Sequence, residues 1–304
     1  MKTILVTGAS GLVGSHLCMK LLDKGYNVKR LGRQVVNGAP NRFSWDVKNM
    51  KIDDEALSGV HAIIHLAGAN ISEGRWTDNR KKEIVDSRVN STNLLLEAVK
   101  RTKPPLETYI TASAIGYYGA VTTDHIFKED DNPATDFIGE VCSRWEDAAN
   151  QFNDIKVRTV ALRTGVVLTA KNGPLQKMKL PVALGIGSGL GKGSQYFPWI
   201  HINDLCDMYI YALEHSNISG PYNAVSPEHI TNLEFTKNIG NALRRKVFLP
   251  NVPSFILKLI FGQMAVIFLE GSRVSSQKIE HEGYLFTYKS SQKALNDLVG
   301  NKSS

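Results

Sequence analysis

The amino-acid sequence predicts an α/β fold: a doubly wound parallel sheet with helices on both faces, followed by a smaller C-terminal α/β lobe. Two observations predict it. Short apolar segments alternate with helical stretches through the first two-thirds of the 304 residues. These apolar segments are continuous rather than alternating with polar residues, which is typical of strands covered on both faces.

The first element is a strand followed by a glycine-rich turn and a helix. Thr3–Thr7 is predicted to be a buried strand, and Ser15–Lys24 a helix. In the turn between them, Gly8 permits a tight bend, Gly11 lets the backbone approach a pyrophosphate, and Gly14 lets helix and strand pack closely. The N-terminus of such a helix offers free N–H groups and a positive dipole end to phosphates. The segment therefore predicts a dinucleotide site; the alternative is a glycine turn that binds no ligand.

Further strands and helices follow in alternation. The predicted strands are Asn27–Leu31, Ala62–Leu66, Thr108–Ala112, Lys156–Leu162 and Tyr222–Val225, and the predicted helices are Asn79–Arg101 and Ile138–Gln151. The glycine-rich stretch 185–193 predicts a flexible loop, since it lacks the glycine and the Ser or Thr that a P-loop requires. We expect a Rossmann-type nucleotide-binding domain over residues 1–170, completed by about 198–225, and a substrate lobe over 171–197 and 226–304.

One apolar segment, Phe255–Leu269, stands out in the C-terminal third. Lys258, Gly262 and Gln263 interrupt it, and it is too short for a membrane span of about 20 residues. We expect a buried helix; a subunit contact or a wall of the substrate pocket are the alternatives.

The composition excludes several classes of function. The net charge of +7 is modest and Lys and Arg are spread along the chain, so we expect a site for anionic ligands and a solvated basic surface, not a nucleic-acid partner. Three widely spaced cysteines predict neither disulfides nor zinc, and no metal site is predicted. With Met1 leading directly into a core strand, no signal peptide is visible and we expect a cytoplasmic protein. Because no segment is long enough to span a membrane, we expect no membrane partner; a homodimer is possible.

The segment around the end of the second predicted strand indicates which dinucleotide binds. An NAD site needs an acidic residue there, to accept a hydrogen bond from the ribose 2′-hydroxyl. Val28–Arg33 instead holds Lys29, Arg30 and Arg33, and no acid. Because an arginine fork binds phosphate through two hydrogen bonds, we predict NADP(H) rather than NAD(H), with Arg33 as the first candidate. Lys29 and Arg30 alternatively form a solvated edge, and Asp46 either contacts adenine or caps a turn.

Several motifs resemble those of the extended short-chain dehydrogenase/reductases, which include sugar-nucleotide epimerases and dehydratases. These motifs are Thr7–Gly14, Ala62–Gly68 and Thr92–Ala98. More narrowly, the chain is similar to an atypical branch called epimerase family protein, through Leu66–Ile71, Gly74–Thr77, Ser113–Gly119, Arg163–Leu168, Phe197–His201 and Gly283–Phe286. The resemblance covers nearly the whole chain and implies a dinucleotide cofactor.

The resemblance also implies cofactor contacts for three groups of residues. Those that would hold the pyrophosphate are Gly8, Ser10, Gly11, Leu12 and Gly14. Gly32 and Arg33 would hold the 2′-phosphate side, and Leu66, Ala67 and Gly68 would flank the adenosine ribose. Glu83 and Arg88 would face the cofactor from the long helix, and Val166 would lie near its nicotinamide end.

The proton relay that is usual in this superfamily is missing from the sequence. Its Tyr-x-x-x-Lys motif puts two side chains on one helix face, and the lysine lowers the tyrosine pKa from about 10. No such motif occurs between Tyr118 and Gln151. A gapless alignment puts Ile138 at the tyrosine position, Cys142 at the lysine position and Arg88 at a helix asparagine. In this respect the chain is similar to the atypical branch.

Candidate substitutes for the relay lie near the end of the fourth predicted strand, at Ser113, Tyr117 and Tyr118. We predict Tyr118 as the proton donor with Ser113 beside it; a packed aromatic is the alternative for Tyr118. Arg88 is expected to bind cofactor ribose or phosphate rather than to polarise a carbonyl. Glu146 is expected on a solvated or capping helix face.

Two functions are consistent with these features. The first is an NADP-dependent epimerase or oxidoreductase that acts on a carbonyl or sugar-nucleotide-like small molecule. The second is a cofactor-binding regulatory or interaction protein that has lost the chemistry, a reading that the resemblance to relatives linked to cell division implies.

Overall fold

The computed structural model describes residues 1–33 and 40–299. Its strands, in chain order, are β1 (Thr3–Thr7), β2 (Asn27–Gly32), β3 (Arg42–Asp46), β4 (Lys51–Ile52), β5 (Val60–His65), β6 (Thr108–Ala114), β7 (Ile126–Phe127), β8 (Arg158–Thr164), β9 (Val166–Leu168), β10 (Trp199–His201), β11 (Gly220–Ala224) and β12 (Arg273–Val274). Its α-helices are α1 (Leu12–Asp23), α2 (Asp78–Thr102), α3 (Phe137–Asn150), α4 (Gly173–Ala183), α5 (Ile202–Glu214), α6 (Asn232–Leu243), α7 (Ser254–Phe261), α8 (Val266–Leu269), α9 (Gln277–His281) and α10 (Ser291–Val299).

Eight strands form the central sheet in the order β11-β8-β6-β5-β1-β2-β3-β4. Neighbouring strands are parallel, except that the two-residue edge strand β4 is antiparallel to β3. From β1 the chain adds β2 and β3 on one side, and then crosses to build β5, β6, β8 and β11 on the other. The reversal between β1 and β5 is the kind of switch point at which open α/β sheets bind ligands. The predicted doubly wound sheet is confirmed.

The sheet separates two apolar cores. On one face, Ile4 and Val6 of β1 pack with residues of α1 and α5, and on the other face Leu5 packs with residues of α2 and α3. All three side chains are fully buried. Because helices cover both faces, a central strand is apolar at successive positions, which accounts for the continuous apolar segments in the sequence.

Most predicted elements agree with the structure to within three residues at each end. Helix α1 begins at Leu12 rather than Ser15, because the turn at Gly8 is tight enough to start the helix earlier. Strands β3 and β4 were not predicted, since Arg42–Asp46 is short and charged at both ends.

The C-terminal part of the chain is more helical than the predicted α/β lobe. After β11 it forms α6 to α10, and the one strand described there is β12, which pairs with β7. The predicted flexible loop 185–193 is packed rather than free. Asn251 lies against Gly189 and Gly193, where a Cβ would come within 2.6 and 2.7 Å of its side chain.

The apolar segment at residues 255–269 is not a single buried helix. It bends at Gly262, where φ is +60°, between α7 and α8. In α7 only Leu257 is buried, whereas Phe255 and Leu259 are 70% and 75% exposed. The expectation of a buried helix is therefore wrong for α7. Within residues 1–33 and 40–299, no helix has the length and apolar character needed to cross a membrane.

Candidate functional site

The carboxyl ends of β1 and β5 form a crevice whose floor is made of backbone. Gly8 has φ of +63°, and a Cβ there would lie 2.9 Å from the carbonyl carbon of Leu66. A Cβ at Gly14 would lie 2.2 Å from the carbonyl oxygen of Gly8. Both positions therefore require glycine, one for the bend and one for the close packing of α1 on β1. These are the roles that the sequence predicts for them.

The N-terminus of α1 opens into this crevice. Gly11 is its N-cap, its N–H donates to the Gly8 carbonyl at 2.9 Å, and no side chain caps the helix. Ser10 and Gly11 are exposed, and the first turn, which begins at Leu12, contains no acidic residue. Free N–H groups and the positive end of the helix dipole are thus available to an anion. This is the geometry of a pyrophosphate site.

Leu66 to Gly68 form a wall of the crevice beside Gly8, and a buried chain of hydrogen bonds holds their backbone in place. The Thr7 hydroxyl oxygen accepts from the N–H groups of Leu66 and Ala67 at 3.1 and 3.2 Å. It also lies 2.7 Å from Nδ1 of His65. Since this oxygen already accepts twice, its proton points at Nδ1, and the ring proton of His65 lies on Nε2.

His65 completes the chain from inside the core. Its Nε2 lies 3.0 Å from the Ser91 hydroxyl, which donates to the Ser87 carbonyl at 2.7 Å. The ring is fully buried, and burial, followed by the charge of Arg88, lowers the pKa of His65 to about 3. The ring is therefore neutral at physiological pH and serves to fix the Leu66–Ala67 backbone beside Gly8.

Arg88 of α2 lies across Gly68. A Cβ at Gly68 would come within 3.3 Å of the guanidinium carbon of Arg88, and Nη1 of Arg88 donates to the Ile84 carbonyl at 2.9 Å. The guanidinium also lies over the ring of Trp145, 4.9 Å from its centroid. Burial lowers the pKa of Arg88 from its usual value, and the charge of Arg80 acts in the same direction. The structure thus brings Gly68 and Arg88 together at the edge of the crevice.

Glu83 is placed differently from Arg88, although both were predicted to face the cofactor. Its side chain is 59% exposed and accepts from Nη1 of Arg80 at 2.6 Å. Since Glu83 and Arg88 are five residues apart on α2, they lie on different faces of the helix. Arg88 thus lies beside Gly68 and Glu83 on the surface, and a contact of Arg88 with the cofactor stays a prediction.

The predicted 2′-phosphate residues lie at the same edge of the sheet. β2 ends at Gly32 and pairs in parallel with β1. Gly32 and the exposed Arg33, which follows it, therefore lie one strand away from Gly8. Lys29 instead donates to the carbonyls of Glu55 and Ser58, at 2.7 and 2.8 Å. The next residues, 34–39, lie outside the described part of the chain.

Two further candidate residues are placed by local structure. Asp46 accepts from the backbone and side-chain N–H groups of Asn49, at 3.1 and 2.7 Å, so it caps a turn. Val166 opens β9 directly after Gly165, where a Cβ would come within 2.6 Å of the Pro198 carbonyl oxygen. Val166 is partly buried against the apolar cluster beside α4 and α6, and its place near a nicotinamide stays a prediction.

The predicted catalytic hydroxyls belong to a buried network across the ends of three strands. Ser113, Arg163 and Asn223 occupy one register on β6, β8 and β11. The guanidinium of Arg163 donates to both carboxylate oxygens of Glu146, at 2.9 and 2.8 Å, and to the Tyr118 hydroxyl at 3.0 Å. Ser113 donates to Glu146 at 2.6 Å, and Tyr118 donates to the Asn223 amide oxygen at 2.7 Å.

This network changes the interpretation of Tyr118, Ser113 and Glu146. Tyr118 is 1% exposed and Ser113 is 3% exposed. Burial raises the pKa of Tyr118, despite the neighbouring charge of Arg163. A buried and fully bonded phenol is a poor proton donor to a ligand in the crevice, so the geometry favours a structural role over the predicted catalytic one. Glu146 is 7% exposed, which corrects the expectation of a solvated helix face.

The two positions aligned with the missing dyad face the turn that follows β6. A Cβ at Gly116 would lie 3.4 Å from Sγ of Cys142 and 3.5 Å from Cβ of Ile138. Ile138 and Cys142 thus lie on one face of α3, packed against this turn. Burial, with a smaller contribution from Glu146, raises the pKa of Cys142 to about 12, so this thiol is not a nucleophile at neutral pH.

Sequence reasoning missed the residues that organise the site from inside the core. They are Thr7, His65, Ser91, Arg163, Glu146 and Asn223. The sequence did contain a sign of three of these residues, because each of the three is a polar side chain in an apolar strand. Thr7 and His65 each end such a strand, and Arg163 interrupts one. A buried polar residue needs a partner, but the sequence does not show which partner the fold supplies.

Comparison with known proteins agrees with this geometry. The sequence profile of the NAD dependent epimerase/dehydratase family matches residues 4–225. The chain belongs to this family. Residues 252–298 match a further domain of unknown function, DUF1731. The first match spans the central sheet except for Thr3, and the second runs from just before α7 to the penultimate residue of α10.

Relatives of the same family match over almost the full length. The mouse epimerase family protein SDR39U1 is 34% identical over 97% of this chain and 99% of its own. The structure of human epimerase family protein SDR39U1 (isoform 2) with NADPH is 33% identical, covers 97% of this chain and 98% of that one, and has a TM-score of 0.88. A nucleoside-diphosphate sugar epimerase from Corynebacterium glutamicum is 31% identical, with a TM-score of 0.80, over 98% of this chain and 58% of its own.

Proposed function

We propose that this member of the epimerase/dehydratase family binds NADP(H) in the crevice between β1 and β5, and acts as an epimerase or oxidoreductase on a carbonyl or sugar-nucleotide-like substrate. The observation that carries the proposal is the floor of the crevice, where a Cβ at Gly8 or Gly14 would come within 3 Å of backbone atoms. Such a floor leaves room for a pyrophosphate at the open end of α1.

The choice of NADP(H) rests on charge and on a relative. Arg33 is exposed at the carboxyl end of β2, beside the pyrophosphate site, and no acid lies between Val28 and Arg33. The human relative was crystallised with NADPH. An arginine at this position favours a cofactor that carries a 2′-phosphate.

The chemistry must work without the usual relay. When bound, NADPH would supply a hydride to a carbonyl carbon, and NADP⁺ would accept one from an alcohol carbon. In this proposal Arg88, beside Gly68, binds the cofactor ribose or phosphate and holds its position. Since Tyr118 and Ser113 are buried in the network, the proton comes from a substrate hydroxyl or from water in the crevice. The Corynebacterium glutamicum relative supports the sugar-nucleotide class of substrate.

A titration of NADPH and NADH against the wild-type protein and two variants tests the cofactor part. Arg33→Ala is expected to weaken NADPH binding about tenfold or more, because charge-assisted hydrogen bonds to the 2′-phosphate are lost, and to leave NADH binding unchanged. Arg42→Ala is the matched control, since Arg42 is also exposed but lies at the opposite, amino end of its strand. Equal affinity of all three proteins for NADPH would contradict the assignment.

The catalytic part is tested by turnover. The NADPH-loaded protein is incubated with a panel of carbonyl compounds and cofactor oxidation is followed. The NADP⁺-loaded protein is incubated with a panel of sugar nucleotides, and cofactor reduction and substrate epimerisation are followed. Conversion of at least one compound, and its loss when the cofactor is withheld, is expected. Saturating NADPH binding without turnover of any compound would argue against catalysis.

A second candidate function is a cofactor-dependent regulator or interaction protein. The observation that favours it is the buried network, in which the hydroxyl protons of Ser113 and Tyr118 are already donated to Glu146 and Asn223. It predicts that NADPH changes the affinity for a protein partner. An affinity capture with the full chain, with and without NADPH, tests it, and identical partners and recoveries in both conditions would contradict it.

A further inference from the structure

The positive charge of the protein is concentrated in two segments of the C-terminal half. Residues 171–203 and 235–269 hold nine of the chain's 36 Lys and Arg and none of its 29 Asp and Glu. We call them the basic segments. The rest of the chain is therefore close to neutral. The cations themselves are spread along the chain as expected, and these two segments are net positive because they contain no acidic residue. Among the described residues, none of these nine cations lies in a salt bridge.

The same two segments expose most of the large apolar side chains. Thirteen such side chains are exposed in the described part of the chain, and seven of them lie in the basic segments. They are Leu180, Leu184, Ile186, Phe248, Phe255, Leu259 and Ile260. Single exposed apolar residues are ordinary, but their concentration in acid-free segments marks an interaction surface.

Helix α4 shows how the two properties combine. Leu175 and Val182 are buried on one side of it, while Leu180 and Leu184 are 61% and 67% exposed on the other. Lys177 is exposed, and its spacing of three residues from Leu180 puts both on the same face. The outer face of α4 is thus apolar with a cation beside it.

Helix α7 repeats this arrangement. Leu257 is buried, while Phe255 and Leu259, four residues apart, are 70% and 75% exposed. Lys258 is also exposed. The side chain of Arg75 donates to the carbonyl of Leu259 at 2.7 Å, so the end of α7 is held on the domain with its apolar side chains outward.

The chain following α4 and the chain preceding α7 are joined. Leu190 and Val252 form a parallel bridge, in which Gly191 N–H donates to the Val252 carbonyl and Val252 N–H to the Gly189 carbonyl, both at 2.9 Å. A Cβ at Gly191 would lie 3.2 Å from the hydroxyl of Ser254, the first residue of α7. The two helices are therefore parts of one packed lobe.

We infer that this lobe docks on an anionic membrane surface through the outer faces of α4 and α7. We call the docking residues the basic apolar face; they are Lys177, Leu180, Leu184, Phe255, Lys258 and Leu259. Apolar side chains that enter the headgroup boundary, beside lysines that meet anionic headgroups, are the chemistry of peripheral membrane binding. The inference departs from the sequence-based expectation of no membrane partner, although that expectation rested on the lack of a spanning segment.

Charge decides between a membrane and two other partners. A second copy would bring the same acid-free segments together, and like charges would oppose the contact. A nucleic acid would satisfy the lysines, but its phosphate backbone offers nothing to bury aliphatic side chains such as Leu180, Leu184 and Leu259. An anionic lipid surface satisfies both properties at once.

Co-sedimentation with lipid vesicles tests the inference. The full-length protein is expected to bind phosphatidylcholine vesicles that contain about 30% phosphatidylserine, and to bind pure phosphatidylcholine about tenfold more weakly or worse. The double variant Lys258→Glu/Leu259→Ser is expected to lose about tenfold or more in affinity. The matched control is Leu285→Ser/Lys289→Glu, which replaces an 80% exposed leucine and an exposed lysine outside the basic segments. It is expected to bind like the wild type.

All four substituted residues are exposed, so both variants are expected to fold like the wild type. Thermal unfolding midpoints and NADPH affinity check this. Equal vesicle binding by the two variants, or no binding by the wild type at low salt, would overturn the inference. A dimer in sedimentation velocity that Lys258→Glu/Leu259→Ser abolishes, without vesicle binding, would assign the face to a second copy instead. Retention of DNA without vesicle binding would assign it to nucleic acid.

Discussion

The buried ion pair between Arg163 and Glu146 leads to a quantitative prediction. Glu146→Gln removes the negative charge and leaves the Arg163 guanidinium, which is 2% exposed, without a counter-ion. Breaking a buried pair in this way costs about 3–5 kcal/mol of the free energy of unfolding. We expect a loss in that range.

The contacts account for this magnitude. The Glu146 carboxylate accepts three hydrogen bonds, two from Arg163 at 2.9 and 2.8 Å and one from Ser113 at 2.6 Å. In glutamine one oxygen becomes an NH₂ group, which faces a donor and cannot accept from it. At about 1.5–3 kcal/mol for each bond to a charged group, one or two lost bonds give the expected loss. With an unfolding entropy of about 2.1 cal/mol/K per residue, this loss should lower the thermal unfolding midpoint by about 5–8 °C.

Urea unfolding followed by tryptophan fluorescence measures the change. Glu140→Gln is the control on the same helix, because its carboxylate is 59% exposed and its pairing with Arg144 is a surface contact, worth about 0.5 kcal/mol. Adding Arg163→Met to Glu146→Gln removes the uncompensated charge and should recover part of the loss. The reasoning is refuted if Glu146→Gln is as stable as Glu140→Gln. It is also refuted if the double variant loses as much free energy of unfolding as Glu146→Gln and Arg163→Met lose separately, added together.

Three further predictions concern the crevice. Gly14→Ala forces a Cβ to within 2.2 Å of the Gly8 carbonyl, so calorimetry should show a lower unfolding midpoint and at least about tenfold weaker NADPH binding; unchanged values would contradict the close packing. Arg88→Gln should weaken NADPH binding about tenfold in a fluorescence titration, whereas Glu83→Gln on the same helix should not; equal effects would contradict the placement of the two side chains. The pKa of His65 is about 3 in the folded chain against 6.5 unfolded, so stability is full above pH 6.5 and falls as the pH drops toward 3. The His65 ring should accordingly show no titration by NMR between about pH 8 and about pH 5, and a midpoint near its ordinary value would contradict its burial.

The sequence was a good guide to the elements that form the crevice. Gly8 and Gly14 have the roles that their spacing predicts, because the conformational freedom of glycine is a local property. The exposed Arg33 at the end of β2 likewise follows from strand length and order. The local sequence pattern did not predict the surroundings of Glu83, because a charged residue on a long helix gives no indication of which side chain lies beside it.

The catalytic candidates show why tertiary structure was needed. The sequence predicts Tyr118 and Ser113 as reactive hydroxyls, but Arg163 and Asn223 lie beside them only because β6, β8 and β11 are neighbours in one register. These residues are far apart in the chain, so no local pattern connects them. The outward faces of α4 and α7 are a similar case, since an apolar helix looks the same in sequence whether or not another element covers it.

By itself the sequence determined the order of strands and helices, the phosphate-binding turn, the preference for a 2′-phosphate and the absence of a Tyr-x-x-x-Lys relay. Each of these depends on residues close together in the chain. Only the tertiary structure decided that His65 and Thr7 hold the Leu66 to Gly68 wall, that Tyr118 is buried in an ion-pair network, and that α7 is exposed. The reason is physical: burial and hydrogen-bond partners depend on long-range packing, whereas turns and strands depend on backbone freedom and hydrophobic pattern.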